Sequence, residues 1–440
     1  MKVGAISLGC DKNRTDTEQL LGFVVRAGHS IVNRIEDADA VIVNTCAFLQ
    51  SAVTESLDAV FEARACNTVK YVIVAGCLPL RYLDELQGKD GLPEADAFID
   101  NTSYDRIGEV LERLEKGEKV VMMRQGDEKR AEQRVITTPY HYAYLKVADG
   151  CDNRCTFCAI PSIRGAYKSR PIEELMRETE GLIEQGVKEV ILVAQDVTRY
   201  GEDLYGQPSL LELLRALAAL PLKWVRLLYC YPDRCSDELI DFIDAEPKMA
   251  KYIDMPMQHA SDAVLKRMNR RDTVATLKDR IAYIRSKPSR IAIRSTFMVG
   301  FPQETDVDFS LLVDFLRSER LDHVGFFAYS REEGTPAARM TGQIPYAVKR
   351  HRLALATATQ SAVMQQFDTQ RVGAVVDVMM DGIDYDKECF YGHTERSAPE
   401  SDGVVYFTSA APALIGEIYP VRIKKRVKAD LYGSVVRSEE

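Results

Sequence analysis

The 440-residue sequence predicts an α/β chain in three parts. These are a parallel-sheet unit over residues 1–123, a partial barrel of six β-α units over 139–368, and a small β-barrel over 371–438. Three observations predict this. Short β-branched runs alternate with helix-length segments as far as about residue 330, and such alternation implies parallel strands joined by right-handed crossovers. Residues 124–138 interrupt it with a polar, aperiodic stretch that reads as a linker. Beyond residue 372 the pattern changes to short strands with two Asp-Gly pairs, Asp381-Gly382 and Asp402-Gly403, read as turns of a small barrel.

In the first unit the predicted strands are 2–8, 40–43 and 71–75, continuous apolar runs suited to a sheet buried on both faces. A helix is predicted from Thr15, where Thr15-x-x-Glu18 reads as a capping box, toward Gly28, and a second over 49–65. In the second unit the strands are 143–147, 189–194, 224–229, 252–257, 291–299 and 323–328. The connecting helices include 171–185, 210–219 and 260–268. A helix over 345–370 leads to strands at 374–379, 389–391, 403–407 and 418–423.

Composition narrows the function classes. Hydrophobic residues make up 46% and charged residues 28%, ordinary values for globular cores. No apolar run reaches membrane-spanning length, and the opening residues do not read as a signal peptide. Ten cysteines then point to a reducing compartment, the cytoplasm, with thiols free or bound to metal. A net charge of −9 weighs against a surface that embraces nucleic acid.

The chemistry is concentrated in Cys151-Asp152-Asn153-Arg154-Cys155-Thr156-Phe157-Cys158, three thiols in C-x3-C-x2-C spacing. Thiolates this dense usually hold metal or an iron–sulfur cluster. A 4Fe–4S cluster normally takes four cysteines, but the next one, Cys230, lies 72 residues on. Three ligands leave one iron open, the mark of a catalytic rather than a closed structural centre. A zinc knuckle would need a second pair nearby, and a disulfide framework does not suit this chain.

A second triad is implied by topology. Cys10, Cys46 and Cys77 each follow a predicted strand of the first unit, 36 and 31 residues apart. The carboxyl ends of parallel strands share one sheet edge, where ligands bind, so the three thiols should converge as a metal or cluster site. Cys66, Cys230, Cys235 and Cys389 show no such pattern and read as ordinary thiols. In the second unit the C-x3-C-x2-C loop follows the first strand, which places it at the carboxyl mouth of the barrel. Gln195 and Asp196 follow the second strand, Gln258 and His259 the fourth, and Gly300 the fifth. Arg154, Arg164, Lys168 and Arg170 flank the cysteine loop as possible partners for thiolates or for a bound carboxylate.

The C-x3-C-x2-C loop, with Phe157 before its last cysteine, resembles the radical S-adenosylmethionine (SAM) superfamily, whose core is a (β/α)6 partial barrel. The resemblance implies a 4Fe–4S cluster on Cys151, Cys155 and Cys158 that binds SAM and cleaves it reductively to a radical. It makes Phe157, Gln195, Asp196, Gln258 and Gly300 candidate SAM contacts. With a second triad before the barrel and a module resembling the TRAM domain after it, nearly the whole chain resembles the methylthiotransferases. An auxiliary 4Fe–4S cluster on Cys10, Cys46 and Cys77 is then implied, and 1–123 becomes the N-terminal methylthiotransferase domain.

Residues 6–13, 155–161, 195–198, 329–335 (Tyr-Ser-Arg-Glu-Glu-Gly-Thr) and 397–404 are similar to the branch that modifies the β-carbon of an aspartate in ribosomal protein uS12. Tyr391-Gly392-His393-Thr394-Glu395-Arg396 departs from the Gly-Arg-Ser-type sequence expected there and bears on the expected substrate-docking surface. The resemblance further implies a flavodoxin- or ferredoxin-type electron donor and a sulfur source, with no membrane and no nucleic acid required. The tRNA adenosine methylthiotransferases are the alternative. Electron transfer and RNA binding are more distant readings, the former opposed by the missing fourth ligands. The module from residue 371 on carries 9 Lys and Arg against 12 Asp and Glu, which opposes the latter.

Overall fold

The computed structural model describes residues 1–124, 126, 128–368 and 372–436. The first unit is a six-stranded sheet of β1 (Lys2–Ser7), β2 (Ser30–Ile31), β3 (Ala40–Thr45), β4 (Tyr71–Gly76), β5 (Ala97–Ile99) and β6 (Val120–Met122). All pairs are parallel, in the order β2-β1-β3-β4-β5-β6. Alternate residues of β3 serve opposite faces, as a strand's period of two requires. Val41 and Val43 pack against α2 (Gln50–Ala65) and α3 (Cys77–Gln87), while Ala40 and Ile42 meet α1 (Asp11–Arg26) and α4 (Ile107–Glu115).

Helix α1 starts at Asp11, with Cys10 as its N-cap, rather than at Thr15. Thr15 is inside the helix, and its hydroxyl donates back to the Asp11 carbonyl at 2.9 Å. The capping box is not formed, because the Glu18 carboxylate accepts instead from the amide and hydroxyl of Thr137, at 2.8 and 2.9 Å. The stretch read as a linker is a packed strap. Buried Arg134 pairs with Glu18 at 3.4 Å and Glu178 at 2.8 Å and donates to the Tyr144 carbonyl at 2.5 Å, tying α1 to the barrel. Charged residues here pair with one another in the interior, which a hydropathy pattern cannot distinguish from exposure.

The second unit contains β7 (Tyr142–Lys146), a short antiparallel pair of β8 (Ala148–Asp149) and β9 (Lys168–Ser169), then β10 (Glu189–Val193), β11 (Trp224–Leu227), β12 (Tyr252–Asp254), β13 (Ala292–Val299) and β14 (His323–Ala328). Two parallel ladders, β11-β10-β7 and β12-β13-β14, are joined by Ala250 N–H to Val225 O at 3.0 Å and Cys230 N–H to Asp254 O at 2.8 Å. The result is one curved six-stranded wall, as expected. Tyr142, Tyr144, Ile191, Val193 and Tyr252 share one core, while Ala143, Leu145, Val190 and Leu192 belong to the larger core on the other face.

A helix, Tyr346–Asp368, leads to a closed barrel of β15 (Val375–Asp384), β16 (Cys389–Thr394), β17 (Val405–Thr408), β18 (Ile418–Val427) and β19 (Asp430–Val435). The last two residues of the predicted helix, 369 and 370, lie outside the described residues. The fifth strand, β19, was not predicted; Gly433 breaks its apolar run. Asp381-Gly382 is not a turn but lies within β15, where the register shifts between Met380 and Gly382. Asp381 is anchored there by His141 and His393, each at 2.8 Å, and a side chain at Gly382 would run into the Tyr391 hydroxyl.

The segment that departs from the Gly-Arg-Ser pattern is an internal joint, not an outer docking face. Fully buried Arg226 pairs with Glu189 at 2.6 Å and donates to the carbonyls of Thr394 and Glu395 at 3.0 and 3.1 Å. His393 Nε2 meets the other Glu189 oxygen at 2.6 Å. Ala398 packs with Tyr142, Tyr144 and Tyr252. The small barrel therefore docks near the amino ends of β10 and β11, opposite the mouth.

Candidate metal centres

The first triad is assembled by three strand-end turns that brace one another. Gly9, at φ +88°, precedes Cys10, and a side chain there would collide with Cys46 Sγ, so the positive φ and the close approach both demand glycine. Asn13, one turn into α1, donates to the carbonyls of Leu8 at 2.7 Å, Asn44 at 3.1 Å and Thr45 at 3.2 Å. The Thr45 hydroxyl donates to Ala75 O at 2.5 Å and accepts from Leu78 N–H at 3.0 Å, joining the Cys46 and Cys77 turns. The Cys46 amide is held by Ser56 at 3.0 Å. The convergence predicted from topology is thus realised at the carboxyl edge of the sheet.

Burial pushes the Cys46 thiol up to about 11, with Cys77 and Cys10 adding repulsion, and raises Cys77 as well. Two thiols that resist ionisation, with Cys10 beside them, suit a cation that makes thiolates of them, the donor set of a metal or an iron–sulfur cluster.

The second triad lies on the loop after β8. Cys151 and Cys155 are buried and Cys158 is half-buried. Desolvation lifts Cys151 to about 11 and Cys158 to about 12, with the neighbouring Cys155 adding to both. Thr156 N–H donates to Met268 O at 3.1 Å and its carbonyl accepts from Ala337 N–H at 2.9 Å, pinning the loop to both sides of the mouth. Cys155 Sγ lies 3.0 Å from the Tyr231 hydroxyl, and Arg270 stacks 4.0 Å from the Tyr231 ring centroid. No fourth cysteine joins either triad in the described residues, since buried Cys230 and Cys235 belong to the apolar core of the barrel. Both triads therefore fit clusters held by three thiolates.

The predicted mouth residues take different places. Phe157 packs against a cluster containing Met298, Phe301 and Tyr329. Gln195 donates to Asp149 at 3.2 Å while its buried Oε1 has no partner, and Gln258, at φ +71°, likewise has a buried Oε1 without a partner. Two unmet acceptors beside a cluster loop suit a ligand bearing amino donors. Asp196 is buried and occupied, accepting from Thr198 N–H at 3.1 Å and Asn153 at 2.8 Å, so it tethers the cysteine loop. Gly300, at φ +74°, donates its N–H to Glu304 at 2.5 Å, and a side chain there would strike Lys349. His259 is buried, with Nδ1 accepting from Ser261 N–H at 3.1 Å.

Of the flanking cations, Arg164, closing α5 (Ile160–Arg164), serves the other triad. Its Nε donates to Cys77 Sγ at 3.4 Å, and its Nη atoms bond Asp16 at 2.6 Å, Asp149 at 3.0 Å and Asn13 at 3.1 Å. Lys146 shares Asp16 and Asp149 and adds Glu128 at 3.0 Å. Arg170 is engaged by Glu174 and Glu178, while Arg154 is exposed.

Two further contacts bring the triads together, and sequence reasoning missed both. Arg81 of α3 pairs with Glu332 at 3.1 Å and donates to Ala47 O at 2.6 Å, while Glu332 also accepts from Gln50 N–H at 3.0 Å. The 329–335 motif thus docks on the Cys46 turn. Lys12, two residues past Cys10, lies over the Tyr229 ring at the end of β11, and Asp11 accepts from the Tyr229 hydroxyl at 3.0 Å. The signal was present in the motifs, but their partners lie 251 and 218 residues away.

Comparison with known proteins agrees with this architecture. Residues 145–316 match the radical SAM superfamily, 2–100 match uncharacterized protein family UPF0004, and 372–436 match the TRAM domain. The chain is 42% identical to the ribosomal protein uS12 methylthiotransferase RimO of Acetivibrio thermocellus, over 99% of this chain and 98% of that protein. It is 43% identical to the protein of the same name from Desulforudis audaxviator, covering 99% and 97%. Among solved structures it is similar in fold to the radical SAM methyltransferase TsrM from Kitasatospora setae, with a TM-score of 0.56 and 13% identity over 83% of this chain and 89% of that one.

Proposed function

The chain belongs to the radical SAM methylthiotransferase family, in its ribosomal protein uS12 branch, and we propose that it methylthiolates the β-carbon of an aspartate in uS12. In this reading Cys151, Cys155 and Cys158 hold the SAM-binding 4Fe–4S cluster, and Cys10, Cys46 and Cys77 hold the auxiliary one. The observation that carries it is the pair of three-thiol sites whose loops meet at one barrel mouth. With clusters and SAM bound, the site supplies hydrogen abstraction from a carbon that no general base can activate, and a methylated sulfur to replace that hydrogen.

The protein's own residues do the rest. Asp196, through Asn153, and Thr156 fix the cysteine loop. Gln195 and Gln258 offer unpaired carbonyl oxygens to the amino groups of SAM. Phe157 and its apolar cluster close one side of the mouth to water. A one-electron donor of flavodoxin or ferredoxin type and a sulfur source complete the reaction from outside.

The acidic balance of the C-terminal module favours a basic ribosomal protein over a polyanionic tRNA as substrate. The test is anaerobic incubation of the reconstituted enzyme with SAM, reductant, sulfide, uS12 and isopentenylated tRNA. Mass spectrometry should find the methylthio group on the uS12 aspartate and none on the tRNA. Robust tRNA modification with no reaction on uS12 would overturn the substrate assignment.

A further inference from the structure

Three lysines are buried among the described residues: Lys12, Lys146 and Lys251. An ammonium taken out of water needs partners. Lys146 has three carboxylates. Lys251 caps a helix end, donating to the carbonyls of Ile243, Asp244 and Glu246 at 2.6, 3.1 and 2.7 Å. Lys12 has neither. Its Nζ sits 3.3 Å from the Tyr229 ring centroid and makes one long contact, 3.4 Å, with the Ala194 carbonyl. Its neighbour Asp11 is turned away to the Tyr229 hydroxyl. Apart from that carbonyl and the ring face, no hydrogen bond or ion pair engages the ammonium among the described residues, and the buried Asp254 carboxylate feels its charge only from beyond ion-pair distance.

The location gives that deficit a meaning. Lys12 is two residues from Cys10. Ala194 precedes Gln195 at the mouth, and Tyr229 is two residues from Tyr231, which touches Cys155. A carbon that loses hydrogen at one centre and receives sulfur from the other must lie between them. Aspartate carries its carboxylate one bond from the β-carbon, so a cation that grips the carboxylate places the reacting atom.

We propose that Lys12 is a specificity-determining residue whose ammonium binds the side-chain carboxylate of the substrate aspartate. This rests on the uS12 reading above. Tyr229 supplies the aromatic face that keeps the ammonium in place, and a charged donor on a desolvated carboxylate discriminates against the neutral amide, whose NH2 group meets it with like polarity.

The test uses the full-length reconstituted enzyme with SAM and no reductant. Fluorescence anisotropy measures binding of a labelled uS12 loop peptide in two forms, with Asp or Asn at the modified position. The wild type should prefer Asp by about tenfold or more. Lys12→Met should bind both forms equally and weakly, and Lys12→Arg should restore a preference for Asp. Iron content, measured alongside, reports whether the neighbouring Cys10 site is intact. Should Lys12→Met lose iron, the Asp-over-Asn ratio of Lys12→Gln decides in the same way. An undiminished Asp preference without the ammonium overturns the proposal, as does loss of SAM binding alone, which would assign Lys12 to the SAM carboxylate. A wild type that binds neither peptide but does bind tRNA refutes the substrate reading instead.

Discussion

The joint between Arg81 and Glu332 offers a quantitative test of how the two triads are held together. Both side chains are almost fully buried, at 7% and 2% exposure. Arg81 also donates to Ala47 O and Glu333 O, and Glu332 accepts from Gln50 N–H and the Ser330 hydroxyl. Replacing Glu332 with Ala removes three polar contacts and leaves a guanidinium buried without a counter-charge. Breaking one partner of such a pair costs about 3–5 kcal/mol. The chain has a cheaper response where the joint can open, because Arg81 then reaches water, so that figure is a ceiling. It should therefore appear as local opening rather than global unfolding. At 1.36 kcal/mol per decade, amide exchange at residues 46–50 should accelerate by up to about two to four decades. Glu332→Gln, which retains one oxygen and the side-chain shape, should show a smaller effect. Hydrogen exchange followed by mass spectrometry resolves this segment. Unchanged protection in Glu332→Ala would mean that apolar packing alone seats the Cys46 turn.

Two other outcomes follow from the same structure. Iron analysis after anaerobic reconstitution should find about eight irons per chain, falling by about half when either Cys10, Cys46 and Cys77 or Cys151, Cys155 and Cys158 are replaced with Ala; full retention in either triple variant refutes that triad. Burial alone would lower the pKa of His393, but Asp381 and Glu189 outweigh it and raise it to about 9, above the ordinary value of 6.5. A group raised on folding stabilises fully below its unfolded pKa and loses that contribution as pH climbs through the folded one. Melting temperature should therefore drop between pH 6.5 and 9, and His393→Arg, a permanent cation between Asp381 and Glu189, should flatten the drop. An identical pH profile in that variant would dismiss the imidazolium as its source.

The sequence made the fold legible where periodicity and topology coincide. Strands 40–43 and 71–75 and the helix over 210–219 were found because buried β-branched runs and amphipathic helices have distinct periods. Convergence of Cys10, Cys46 and Cys77 needed no side-chain detail, only the rule that parallel strands end on one edge. Failures occurred where polar residues make structure by pairing over long separations. Thr15 and Glu18 mimic a local cap but serve a helix back-bond and the strap at Thr137. Residues 124–138 look solvated because Arg134 is charged, yet Arg134 is buried between two carboxylates. Asp381-Gly382 resembles a turn, but its aspartate is held by two histidines, one of them 240 residues away. No local pattern carries that information.

The same distinction separates what makes each centre from what relates one centre to the other. Each triad is built within its own unit; in the first, Gly9 permits a tight turn and the bonds of Asn13 and Thr45 tie neighbouring strand ends together. Their mutual placement depends on long-range polar joints: Arg164 from the cysteine loop to Cys77 and Asp16, Arg81 to Glu332, and Asp11 to the Tyr229 hydroxyl at the end of β11. Apolar packing tolerates small slides, because dispersion is non-directional. A buried guanidinium shared among several acceptors does not, since each displaced bond leaves a desolvated group unpaired. A reaction that must pass one carbon between two centres needs their separation fixed to a fraction of an ångström. Directional joints therefore sit where the chemistry needs them, at the three contacts that span the mouth, while the outer faces of both sheets remain ordinary hydrophobic cores.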